Sequence, residues 1–149
     1  MIDVEVDQSG RIEVLTVDTA LALSDAIQSA VLIPSAVKRK VWNELRARGV
    51  KAKMVSLRMF AAGLYLLLED HLEKVRAVTI DTEFPGRDSE IKGLLLNLIY
   101  RRAPHFRKQQ IDFQRIGRRS PAHHVAWLTY RGEREAERKV TAGELLRLC

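Results

Sequence analysis

The chain has 149 residues, 46% of them hydrophobic and 30% charged, with a formal net charge of +6. That length suits one domain with a substantial core, and the single cysteine, Cys149, excludes an internal disulfide and a cysteine-based zinc site. The start, MIDVEVDQSG, has no basic and apolar signal regions, and the most apolar run, MFAAGLYLLL, is too short to span a bilayer. The expectation is a cytoplasmic protein in a reducing compartment, with no membrane partner.

Charge is segregated along the chain. Residues 1–34 carry six acids and one base, residues 38–58 eight bases and one acid, and residues 101–119 seven bases and one acid. Clustered bases beside an acid-bearing region suit a protein that holds phosphate with its bases and metal with its acids. A solvated, arginine-rich surface accounts for the same pattern without any ligand.

IDVEVD (2–7) alternates strictly, Ile2, Val4 and Val6 against Asp3, Glu5 and Asp7, and reads as a half-buried strand. QSG follows as a tight turn and RIEVLTV (11–17) as a second strand. ALALSDAIQSAVLI reads as a further hairpin or a broken continuation. Pro34 and Ser35 open a helix that Gly49 stops. Residues 54–75 form a long helix, apolar nearly all round and therefore buried. RAVTID (76–81) is a strand, and PGRDSEIKGLLLNLIYRR is a break and then a helix with an acidic first turn and a basic last one. QIDFQRIG (110–117) is a strand. Ser120 caps a helix with Pro121 in its first position and Gly132 at its end. TAGELLRLC is a short last helix with a Thr141–Glu144 capping box. This order implies one α/β domain over residues 1–149, with a mixed five-stranded sheet whose first strands are antiparallel and whose later strands are parallel.

Two of these strands end in acids, in VEVDQSG and VTIDTEFPG, and a third runs into a basic loop and helix start, IDFQRIGRRSPAHH. With the element order, these stretches resemble the ribonuclease H-like superfamily over most of the chain, at the level of topology. The resemblance implies that Asp7 and Asp81 end neighbouring parallel strands and face each other across one site. It implies Mg²⁺ (or Mn²⁺) as cofactor, two-metal cleavage of DNA or RNA phosphodiesters, and a helper for proton transfer or product release at His123 or His124. The family's glutamate on the helix before the fourth strand has no counterpart early in helix 54–75. Glu69 and Asp70 lie late in that helix, Glu44 lies on the previous one, and Glu83 or Asp88 is placed to assist locally.

Each of these residues also has a plainer role. Asp7 before QSG suits a turn, Asp81 a loop cap, and Trp42 and Trp127, at apolar helical positions, suit the core. No GxxxxGK, GxSxG or HExxH pattern occurs. For substrate contact the best stretch is QRIGRRSPAH, where Arg115, Arg118 and Arg119 precede a helix start whose free N–H groups favour phosphate. The run Lys38, Arg39, Lys40 is the second candidate. A nuclease is the leading expectation. A non-catalytic nucleic-acid-binding module on the same fold is the alternative, and a homodimer built on the apolar helix 54–75 is the third reading.

Overall fold

Strand β1 (Ile2–Ser9) forms where the alternation demands it, with Val4 and Val6 buried and Asp3 and Glu5 on the opposite face. The computed structural model describes all residues, 1–149. β1 pairs antiparallel with β2 (Thr19–Asp25), and β2 with β3 (Gln28–Ile33). β4 (Val75–Asp81) lies parallel to β1 on its other side, and β5 (Ile111–Gln114) parallel to β4. The sheet therefore runs β5-β4-β1-β2-β3-β6. Its sixth strand, β6 (Arg138–Lys139), pairs parallel with Val31 and Leu32 of β3. This corrects the expected count of five strands. Two charged residues carry no strand periodicity, and β6 exists because Val140 donates to the Leu32 carbonyl and Glu137 accepts from the Ala30 N–H.

Helices α1 (Ser35–Ala47), α2 (Ala52–Leu68), α3 (Asp88–Arg102) and α5 (Ala142–Leu148) lie on one face of the sheet. α2 is its centre and is buried from Val55 to Leu68 apart from Arg58. Gly63 lets it approach the sheet: a Cβ there would meet Leu21 at 2.8 Å and Ile33 at 3.0 Å. α2 is thus taken up almost entirely by the chain's own core. α4 (Pro121–Tyr130) covers the other face, packing Val125 and Ala126 on Ala22 and Ala30. Leu21 and Leu23 point to α2 while Ala22 points to α4, as period 2 requires. No helix is long and apolar enough to cross a membrane.

The expected second strand, residues 11–17, is instead a loop, and the expected hairpin that follows is β2–β3. The loop's polar groups are claimed by tertiary partners before a ladder can claim them. Lys38, with no exposed surface, donates its ammonium to the Arg11 carbonyl (3.1 Å), the Val14 carbonyl (2.7 Å) and the Thr19 hydroxyl (2.9 Å). Arg39 donates to the Leu15 carbonyl, the Gln8 side chain accepts from the Ile12 N–H, and Asp18 accepts from the Ser35 N–H at the start of α1. Ile12 is fully buried beneath the loop. Lys38 is thus a strut and not a phosphate contact, which corrects its expected role: all three of its hydrogens are committed.

Burial lowers the Lys38 pKa to about 8, so the strut is still charged at neutral pH. Lys38→Met keeps the stem but leaves the Arg11 and Val14 carbonyls and the Thr19 hydroxyl without their donor. It is expected to lower unfolding free energy by about 2–4 kcal/mol, whereas Lys40→Met, on the exposed side of α1, changes it by less than about 0.5 kcal/mol. Urea unfolding followed by circular dichroism measures both.

Candidate metal centre

The register of β1 on β4 places the acids. Val6 pairs with Ile80 in the parallel ladder, so the next residues, Asp7 and Asp81, stand side by side just past the last pair of that ladder. Glu83 comes from the loop two residues beyond β4. One carboxylate oxygen from each of the three lies within 4.8 Å of the others, close enough for one or two divalent ions to be shared, since paired ions sit roughly 4 Å apart. Three hard oxygen donors suit Mg²⁺ or Mn²⁺, so the triad could hold such an ion.

Each acid is also fixed by the chain. Asp7, only 7% exposed, accepts the Gln8 N–H on Oδ1 (2.8 Å) and meets His123 Nδ1 with Oδ2 (2.9 Å). Asp81 Oδ1 accepts the Ile116 N–H at 2.7 Å, tying down the loop between β5 and α4. The loop-capping role and the ligand role of Asp81 are therefore compatible. The Gln8 side chain, whose oxygen accepts from the Ile12 N–H, acts to lower the Glu83 pKa.

Crowding shows in the protonation of the triad. Burial first, then the shared hydrogen bond with Asp81 and the charges of Asp81 and Asp7, push Glu83 up to about 8. Burial also raises Asp7, against the opposing hydrogen bonds from Gln8 and His123. At neutral pH Glu83 thus holds a proton that a bound cation would displace.

His123 is the histidine that reaches the centre; His124 is exposed on the next position of α4. Ser120 sets this up. Its hydroxyl accepts from the Ala122 N–H as the helix cap and donates to Glu5 of β1 at 2.9 Å, pinning the start of α4 to the strand that carries Asp7. Gln8 and Glu5 carried no motif of their own. Their only signal was proximity to Asp7 along β1.

The other acids do not join. Glu44 pairs with Arg48 on the exposed side of α1, Glu69 with Arg138 and Asp70 with Arg102, while Asp88 opens α3 within reach of Thr82. Of the expected phosphate contacts, Arg115, Arg118 and Arg119 are exposed in the loop that Asp81 anchors and make no ion pair. Lys40 is exposed on α1, while Arg39 is spent on the Leu15 carbonyl. Trp127, expected in the core, is 42% exposed, one turn beyond His123, stacked on Tyr130 and under Arg131. Its helix buries only the small Ala122, Val125, Ala126 and Thr129 side of its surface.

The folded-state pKa of Glu83 lies above the free value of 4.5, so the fold favours the protonated form. That contribution to stability is complete below about pH 4.5 and is lost as pH rises through about 8. Glu83→Gln is expected to flatten this dependence and to raise Tm at pH 8 by at least about 2–4 °C without metal, the equivalent of 1 kcal/mol at this size. Mg²⁺ or Mn²⁺ is expected to raise the wild-type Tm and not that of Asp81→Asn, measured by thermal scans across pH and metal concentration. No family model matches this chain, and neither does any curated protein or solved structure, so the chemistry of the centre rests on its own geometry.

Proposed function

We propose that the chain is a metal-dependent nuclease of ribonuclease H-like fold that acts on DNA or RNA phosphodiesters. The observation that carries this reading is the Asp7–Asp81–Glu83 cluster, within 4.8 Å, where the ladder between the parallel strands β1 and β4 ends. The antiparallel β1-β2-β3 meander followed by parallel β4 and β5 supports the fold assignment. β6 is an addition to that scheme, and the third carboxylate comes from a loop, not from a helix.

Mg²⁺ or Mn²⁺ bound by the three carboxylates would activate water and neutralise the leaving oxygen. Asp7 and Asp81 hold the ligand oxygens in place through their fixed hydrogen bonds, and Glu83 gives up its proton on becoming a ligand. With Nδ1–H committed to Asp7, His123 keeps Nε2 for moving a proton at the cleaved ester. Arg115, Arg118 and Arg119, unpaired beside the centre, hold phosphates without reading sequence.

A second reading, a nucleic-acid-binding module without turnover, draws on the proton that Glu83 retains, since that proton stabilises the cluster with no ion at all.

Incubation with single-stranded, duplex, hybrid and branched substrates in Mg²⁺ or Mn²⁺ separates the two. The nuclease reading expects metal-dependent cleavage that falls by at least about 100-fold in Asp7→Asn and Asp81→Asn, and about 10²-fold or more in His123→Ala. Salt-sensitive binding without cleavage in any metal would establish the second reading. In either case Arg118→Ala and Arg119→Ala are each expected to reduce the slope of log affinity against log salt by about 0.7–0.9, read by gel shift.

A further inference from the structure

A polar cavity of about 420 Å³ opens beside the metal centre, and Glu83 lines both. Its walls come from four places: Arg11 from the loop that Lys38 braces, Trp42 from α1, Lys53 and Ser56 from the start of α2, and Glu83 and Phe84 from the loop after β4. We propose that this cavity is a nucleotide subsite, which stacks a base of the substrate strand on Trp42 and holds its phosphate between Arg11 and Lys53. The proposal rests on the nuclease reading and adds where the strand lies beside the cleaved bond.

The size lies within the range of small-ligand sites, and the chemistry of the walls is that of single-strand binding, an aromatic platform with flanking cations. Trp42 is half-buried with part of its ring packed on the core, so the platform is held rigid before a base arrives. Lys53 is positioned too, with its ammonium 5.1 Å from the centroid of the Phe84 ring, which in turn packs edge-on against Phe60. No side chain caps α2, and Ala52 and Lys53 of its first turn form part of the wall, so unpaired N–H groups add to the positive field there. Arg11 pairs only loosely with Glu13, at 3.8 Å and largely in solvent, and is free to turn to phosphate. The buried strut therefore has a use beyond stability: Lys38 holds the Arg11 backbone, and so one wall of the cavity, at a fixed distance from α1.

The chain has two tryptophans, so Trp127→Phe leaves Trp42 as sole reporter. Titration of that protein in EDTA with a single-stranded 12-nucleotide DNA, and separately with its RNA counterpart, is expected to quench Trp42 emission. Trp42→Leu is expected to weaken binding by about tenfold, and Arg11→Ala with Lys53→Ala to lower the salt slope by about 1.4. The same variants are expected to raise KM for cleavage in Mg²⁺ while Mg²⁺ still raises their Tm. Cleavage or binding with unmoved Trp42 emission, and with unchanged KM in Trp42→Leu and in the Arg11/Lys53 double variant, would overturn the subsite and leave the nuclease reading standing. Absence of both binding and cleavage in the wild type would overturn both.

Discussion

The centre depends on one pairing, that of β1 with β4. Parallel strands bring their carboxyl ends to the same edge of the sheet, so residues at the end of each become neighbours although 74 positions separate Asp7 from Asp81. The register, with Val6 beside Ile80, is held by burial on both strands: Val4, Val6, Val78 and Ile80 all face α2 and α3. A slip of one residue in either strand would send its two apolar side chains to the wrong face and separate the acids. Core packing and site geometry are therefore one constraint. The hydrophobic alternation of β1 places Asp7 as surely as it places Val6.

Around that pairing the chain uses charge in two ways. Some cations are structural, and they hold the irregular segments. Lys38 replaces the ladder that the loop after β1 lacks, and Arg138 bonds Glu69 where β6 meets α2. A buried ammonium with three acceptors is tolerable only because each hydrogen is satisfied. Others are left unpaired at one end of the sheet, Arg115, Arg118 and Arg119 in a loop whose backbone Asp81 anchors. The basic runs that look alike in the sequence thus divide into braces and unpaired surface cations. Position relative to the core decides which is which.

The acid cluster carries the electrostatic cost of this design. Three carboxylates in a half-buried space cannot all ionise without a counter-charge, and the chain supplies only partial relief through Gln8, His123 and the Ile116 N–H. Glu83, the least constrained of the three by backbone bonds, takes up the strain as a proton. A divalent ion held by the three carboxylates would relieve the same repulsion and displace that proton. The Ser120 contact to Glu5 completes the arrangement by tying α4, and with it His123, to the strand that bears Asp7.

Much of this was legible in the residues themselves. Alternation marked β1, near-continuous apolarity marked α2 as buried, and Ser120–Pro121 and Thr141–Glu144 marked two helix starts, because each signal is local and repeats at the period of its element. Asp7, Asp81 and Glu83 stood out as acids at strand ends. Other features depend on partners far along the chain. The loop at residues 11–17 has the composition of a strand but spends its carbonyls on Lys38 and Arg39, and β6 is too short to carry a period. Whether a lysine is a buried strut or an exposed cation, whether Glu83 or a helix acid joins Asp7 and Asp81, and whether His123 or His124 reaches them were settled only by tertiary packing. The amino-acid sequence determined the elements and the types of group available. Long-range register and burial decided which of those groups meet, because such contacts join residues that share no local pattern.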